Sequence, residues 1–224
     1  MKIINVAIDG PAGAGKSTIS RKAAAELGYI YIDTGALYRT VGLNAIRKGA
    51  DLQSDESIIA TLTDDVKVEL RFIDGEQRMF LSGEDVSDKI RTPEASMAAS
   101  RVSAVPKVRE YLFDLQKKLA RENSCVMDGR DIGTVIIPDA EVKIFMVASP
   151  EARAKRRFLE LQAKGEDCTY ESVLKDIIER DTNDSTRKTA PCVPAKDAVH
   201  LDNSDLDIEQ TVEKVVEIIE NAKK

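Results

Sequence analysis

Between residues 10 and 17 the chain reads GPAGAGKS, and this octapeptide limits the possible folds more than any other stretch. Gly10, Gly15, Lys16 and Ser17 satisfy the spacing G-x-x-x-x-G-K-[ST]. The run before it, IINVAID (3–9), is apolar and β-branched and reads as a buried strand. After it, Ile19, Ala23 and Leu27 recur at helical spacing, and Gly28 can end that helix. A glycine-rich turn between a strand and a helix lets backbone N–H groups converge on phosphate oxygens, and the helix N-terminus adds partial positive charge. Lys16 then reaches the β- and γ-phosphates, and the Ser17 hydroxyl can bind Mg²⁺. The ATP-binding residues expected here are Gly10, Pro11, Ala12, Gly13, Ala14, Gly15, Lys16, Ser17 and Thr18. The loop is built for a nucleoside triphosphate.

Four further apolar runs have strand character: YIYID (29–33), CVMD (125–128), VKIFMVA (142–148) and AVHLD (198–202). Helical patterns lie between them. Thr92 and Pro93 open a helix over 92–104, and in 106–122 Val108, Leu112, Leu115 and Leu119 form one apolar stripe. Ser149 and Pro150 open another helix that Gly165 ends. Strands alternating with helices predict an α/β fold with a parallel sheet covered on both faces. VKVELRFIDGEQRMFLSGEDVS (66–87) breaks that rhythm, because it alternates apolar and polar residues on both sides of Asp74-Gly75. It predicts an antiparallel insertion over roughly 63–92.

Composition narrows the class. A chain of 224 residues with 42% hydrophobic content can bury one sizeable core. A net charge of −6 disfavours a nucleic-acid partner. No apolar stretch approaches 18 residues, and the N-terminus runs straight into a strand, so neither a membrane span nor a signal peptide is expected. Cys125, Cys168 and Cys192 are scattered and odd in number, which reads as reduced thiols in the cytoplasm, one of them buried in a strand. With His200 as the single histidine, a Ser/His/Asp triad or a zinc site of several histidines is hard to assemble.

Phosphate loops serve switches, motors and transferases. The guanine motif N/T-K-x-D of a switch is absent from the sequence, and a motor domain is usually larger. A transferase needs a second anion site and a cover that excludes water. DTGALYR (33–39) follows the second strand, which puts Thr34 and Arg39 on the carboxyl-end rim of the sheet, where Arg39 could clamp an acceptor phosphate. Asp128 ends a strand where a carboxylate often engages Mg²⁺, directly or through water; the alternative is an aspartate that caps the next turn. The cover would be 150–189, with Arg153, Arg156, Arg157, Arg180 and Arg187 on two helical stretches. Interleaved acidic residues leave open a solvated helix face instead.

DGPAGAGKST, DTGALYR, MDGRDIGTVIIPDA, RAKRRFLELQ and ERDTNDSTR together resemble the bacterial cytidylate kinases, from the first strand to the final helix. MDGRDIGTVIIPDA is the most specific of these segments; phosphate loops occur in many kinases. The resemblance implies a P-loop NTPase three-layer fold with a five-stranded parallel sheet, a small antiparallel insertion in the acceptor-binding domain and a helical lid. It divides the chain (1–224) into a core of 1–40, 105–149 and 190–224, an acceptor-binding domain of 41–104 and a lid of 150–189. It implies transfer from ATP to CMP or dCMP with Mg²⁺, by a monomer that binds these small molecules and neither nucleic acid nor membrane. Residue by residue, the resemblance implies that Thr34 borders the acceptor, that Arg39 and Arg130 bind phosphate, and that Ser100, Arg109 and Asp131 read the cytosine. Asp184 and Arg187, in the pattern R-D-x-x-D-x-x-R that begins at Arg180, lie near the ribose and the phosphates. Arg156 and Arg157 match lid arginines on the ATP side. Lys16, Arg130, Arg156, Arg180 and Arg187 are the catalytic set, and Ser17 and Asp128 the metal ligands. Ser17 departs from relatives that carry glycine there, and it restores a direct ligand for the ion. Alternatives are a related small-molecule kinase, for UMP, another nucleotide or a coenzyme precursor, and a nucleotide-dependent binding module. Within the residues themselves, Ser100 could be a helix-packing residue and Arg109 a surface charge.

Overall fold

The computed structural model describes residues 3–163 and 165–223; residues 1, 2, 164 and 224, which the expected core and lid ranges include, lie outside the described residues. The elements are β1 (Asn5–Asp9), α1 (Lys16–Leu27), β2 (Ile30–Asp33), α2 (Thr34–Arg47), α3 (Asp55–Ala60), β3 (Val68–Ile73), β4 (Glu76–Leu81) and β5 (Glu84–Asp85). There follow α4 (Pro93–Val102), α5 (Pro106–Glu122), β6 (Cys125–Gly129), a π-helical turn (Ile132–Ile136), β7 (Val142–Val147), α6 (Pro150–Ala163), α7 (Tyr170–Thr186), β8 (Val199–Asp202) and α8 (Ile208–Ala222). All five expected strands form one sheet, in the order β2-β6-β1-β7-β8. Strand β1 runs parallel to β6, with Asp9 opposite Gly129, and parallel to β7, with Asp9 opposite Phe145. Strand β8 runs parallel to β7. Two compact units result: residues 1–31 with 122–224, and residues 32–121. The second takes in α2 and α5 as well as the antiparallel strands.

The first unit is organised by its sheet. Val6, Ile8, Val126, Ile144 and Met146 form a core with Ile19 and Ala23 of α1 and Val212, Val215 and Ile219 of α8. These aliphatic side chains are removed from water, each stabilising the fold by roughly 1.5–3 kcal/mol before the entropy of ordering is subtracted. Cys125 is buried in β6, as its strand pattern predicts, and burial pushes its thiol pKa up to about 12. Helices α6 and α7 share a smaller cluster of Ala154, Leu161, Val173 and Ile177. Ser149 caps α6, its Oγ accepting the Ala152 N–H at 3.1 Å. Among the described residues no helix is long and apolar enough to cross a membrane.

In the second unit β3, β4 and β5 form an antiparallel sheet. The expected hairpin at Asp74-Gly75 is present, with positive φ at both residues (53° and 80°). A second turn at Ser82-Gly83, also with positive φ at both (48° and 88°), adds the short strand β5. Alternation marks two strands around one turn, and two residues are too short a run to show it. Helix α3 likewise falls outside the predicted elements; Ser54 caps it by accepting the Ser57 N–H at 3.2 Å. The apolar stripe expected on α5 is displaced. Its buried face is Val108, Arg109, Leu112, Gln116 and Ala120, while Leu115 and Leu119 are half-buried at its edge. Gln116 is accommodated because its Nε2 donates to the Leu112 carbonyl one turn back, at 3.2 Å. Counting apolar residues alone passes over an amide that bonds to its own helix.

Candidate active site

The loop over residues 10–15 leaves the carboxyl end of β1 beside β7, and the approach is close. A Cβ on Gly10 would lie 1.9 Å from the Met146 carbonyl oxygen, so only glycine fits. Ala12, Ala14 and Lys16 are buried, whereas Gly13, Gly15, Ser17 and Thr18 are exposed. The loop therefore turns one side inward and leaves the other open. Lys16 is 5% exposed, and its Nζ donates to the Pro11 carbonyl of the same loop at 2.6 Å. Burial, reinforced by the charge of Arg130, lowers its pKa to about 7. An added anion would reverse that shift.

The Ser17 hydroxyl donates to Asp128 Oδ2 at 2.8 Å, and the Tyr31 hydroxyl donates to Asp128 Oδ1 at 3.1 Å. Asp128 is thus held by two side-chain hydroxyls. Two hard oxygen donors side by side fit Mg²⁺, which binds one or two protein oxygens and completes an octahedron with water and phosphate oxygens. Next to them, Arg130 Nε donates to Asp184 Oδ2 at 3.0 Å, and its Nη1 to the Gly129 carbonyl at 3.2 Å. Asp131 is 5% exposed, with Arg187 Nη2 at 3.8 Å from its Oδ1; Arg187 Nε donates to the Ala190 carbonyl at 2.8 Å.

The arginines of the expected cover take different places. Arg153 is 2% exposed and works as a strut. It donates to the carbonyls of Ala12 and Ala148, both at 2.9 Å, and pairs with Asp181 of α7 at 2.6 Å. Arg153 lies on α6 within the expected cover, and there its guanidinium is engaged by two carbonyls and a carboxylate. Arg156 Nη2 donates to the Asn203 carbonyl at 2.6 Å, and Arg157 Nη1 pairs with Glu160 at 3.2 Å on the exposed face of α6. Arg180 is half-buried on α7, one turn before Asp184.

Several supporting residues carry no motif. Asn203 Nδ2 donates to the Ala14 carbonyl at 3.0 Å and so ties the end of β8 to the phosphate loop. Cys192 lies among the charges of Arg130, Lys16 and Asp184, with burial raising its thiol pKa. Asp9 accepts the N–H groups of Ile132 and Gly133, each at 2.8 Å, and so fixes the turn that follows Arg130 and Asp131. The sequence does hold a trace of Asp9: the dipeptide Asp-Gly ends both β1 (Asp9-Gly10) and β6 (Asp128-Gly129). Burial raises the Asp9 pKa from 3.8 to about 6, so the folded chain takes up a proton there that the unfolded chain does not hold between about pH 4 and 6. The associated stability is present below the unfolded pKa and is lost as pH rises through about 6. Asp9→Asn should therefore destabilise the protein more at pH 4.5 than at pH 7, measured by urea unfolding. An equal penalty at both values would contradict a raised pKa at Asp9.

In the second unit Asp33 caps α2, its Oδ1 accepting the Ala36 N–H at 2.9 Å, while Oδ2 accepts from Arg39 Nη2 at 2.7 Å. Gly35 leaves room for this pair, since a Cβ there would stand 3.1 Å from both Arg39 Nη1 and Asp33 Oδ1. Thr34 is buried at the first position of α2. Ala95, Ala98, Ala99 and Val102 are the buried residues of α4, and Ser100 is half-buried on the same helix. Arg109 is 8% exposed, so it is not a surface charge. Its guanidinium lies 5.6 Å from the Tyr38 ring centroid, and its Nη1 is 3.4 Å from the Ser103 carbonyl.

The sequence profile of the Cytidylate kinase family matches residues 6–221. The chain belongs to the cytidylate kinase family. A cytidylate kinase of Caldicellulosiruptor bescii is 51% identical over 218 residues, covering 97% of this chain and 96% of that protein. One of Pelotomaculum thermopropionicum is 51% identical over 213 residues, covering 95% and 94%. The fold is shared more widely: the crystal structure of an uncharacterized protein from Eubacterium ventriosum superposes with a TM-score of 0.52 at 13% identity, covering 97% of this chain and 98% of that one. Family membership accounts for the full span of motifs, from the phosphate loop to the R-D-x-x-D-x-x-R pattern of α7.

Proposed function

We propose that this chain transfers the γ-phosphoryl group of ATP directly to the phosphate of CMP or dCMP. One observation carries the reading within the first unit. The phosphate loop and the turn after β6 leave neighbouring strands at the same register step, Asp9 opposite Gly129, which gathers Lys16, Ser17, Asp128 and Arg130. The acceptor phosphate is already anionic and needs no strong base, so catalysis consists of positioning and charge stabilisation. Lys16 binds the β- and γ-phosphates from inside the loop. Ser17 and Asp128 would hold Mg²⁺, which neutralises charge on the phosphates when bound. Arg130 and Arg187 bind the acceptor phosphate, and Asp184 orients Arg130 through the 3.0 Å bond.

In the second unit Thr34, Arg39, Ser100 and Arg109 are assigned to the acceptor nucleotide, and in the first Asp131 is assigned to its base. Helices α6 and α7 are assigned to the lid. Arg156 and Arg157 act from there on the ATP side, and Arg180 belongs to the catalytic set. The three cysteines are free, which accords with a reducing cytoplasm.

The test is ADP release with CMP, dCMP, UMP, AMP and GMP offered singly. ADP formation that requires CMP or dCMP supports the assignment. Preference for another monophosphate would make this a related kinase, and ADP formation indifferent to all five would favour a nucleotide-dependent module.

A further inference from the structure

The antiparallel strands of the second unit hold no residue assigned to substrate, yet one of their side chains reaches the acceptor group. Strand β4 reads EQRMFL, and Gln77 lies on the same side of it as Met79 and Leu81, both buried. An amide on an otherwise apolar face needs partners. Gln77 finds them on Asp33, the last residue of β2. Its Oε1 accepts the Asp33 N–H at 2.8 Å, and its Nε2 donates to the Asp33 carbonyl at 3.3 Å. Strand β2 is outermost in its sheet. The side-chain amide thus gives this peptide the donor and the acceptor that a further strand would have supplied.

Asp33 in turn sets the acceptor side chains. Its carboxylate caps α2 at Ala36, in the turn that begins with Thr34, and fixes Arg39 at 2.7 Å. A backbone shift at residue 33 would move the cap and the guanidinium together. Gln77 is itself placed by its strand: β4 pairs with β3 over residues 76–81, and the Met79 N–H donates to Ser87 Oγ at 2.8 Å.

We propose that Gln77 is a positioning residue for the acceptor nucleotide, and that the antiparallel insertion serves to hold it against Asp33 so that Thr34 and Arg39 present a preformed anion site. The inference rests on the assignment of Thr34 and Arg39 to CMP. Gln77 does not touch the reacting atoms; it acts through Asp33.

The test compares Gln77→Leu and Gln77→Ala with Arg39→Ala and with Glu76→Ala, an exposed neighbour on the same strand. Leucine keeps the volume and loses both hydrogen bonds, so it separates positioning from packing. The expected result is a rise of about tenfold in the KM and Kd for CMP in Gln77→Leu, as for loss of two modest hydrogen bonds, with the KM for ATP within about twofold. Glu76→Ala should leave both constants unchanged. Equal increases for CMP and ATP accompanied by a lower Tm would mean that Gln77 only stabilises the sheet, and would overturn the proposal. So would unchanged CMP binding in both Gln77 variants while Arg39→Ala weakens it, and in that case the acceptor assignment survives. If Arg39→Ala also leaves CMP binding unchanged, that assignment fails and the proposal fails with it.

Discussion

Lys16→Ala is expected to lower kcat/KM by at least about 10²-fold, close to 3 kcal/mol of transition-state stabilisation. The side chain supplies a charge in a buried place where few water dipoles compete with it. The nucleotide-free protein already bears the unfavourable part of this arrangement. Burial drives the Lys16 pKa down to about 7, and the ammonium leans on the Pro11 carbonyl at 2.6 Å. A bound triphosphate relieves both, which concentrates the benefit of Lys16 on the liganded states. Alanine should therefore leave the free protein folded, with a Tm no lower than that of the parent. Turnover within a few-fold of the parent would remove the phosphate-loop assignment. A collapse of Tm together with activity would instead show that Lys16 is structural.

The second large effect concerns the base. Cytosine presents an acceptor at N3 and an amino donor at C4, and uracil reverses both. Asp131, buried with Arg187 Nη2 at 3.8 Å, is assigned to accept from the amino group. Arg109, a buried guanidinium of the second unit, is assigned to donate to O2 and N3 under the proposed function. Ser100 offers a further acceptor. Uracil would set a carbonyl against a carboxylate and an N–H against a guanidinium, at roughly 1–3 kcal/mol for each group left unsatisfied. Two such conflicts predict a preference for CMP over UMP of about 10²-fold or more in kcat/KM. Asp131→Ala should greatly reduce CMP use and leave UMP use nearly unchanged, which narrows the ratio. An equal loss on both substrates would assign Asp131 to holding Arg187 in place, and the base-reading role would fail.

Both predictions rest on residues that a reader of the sequence can find, and the reason is physical. The phosphate loop is legible because a sharp turn between a strand and a helix needs glycines at set places, and Gly10, packed against the Met146 carbonyl, shows why. The five strands are legible because parallel strands buried on both faces leave continuous apolar runs. The residues that stay hidden act through single hydrogen bonds between segments far apart in the chain. Asp9 reaches Ile132 and Gly133, Asn203 reaches Ala14, and Gln77 reaches Asp33. No spacing rule links such pairs. The contacts of Arg153 are hidden in the same way: in sequence it is one of several arginines on an amphipathic helix, and only the fold shows that Asp181 and two carbonyls enclose it.

Direct transfer of a phosphoryl group to a cytidine nucleotide fixes the fate of the γ-phosphoryl label. The protein is mixed with ATP labelled in that group, with and without CMP, and the products are separated during the first turnovers. Label is expected in the β-phosphoryl group of CDP, appearing in step with ADP, with none on the protein and almost none as inorganic phosphate. Label released as inorganic phosphate at the same rate whether or not CMP is present would contradict direct transfer.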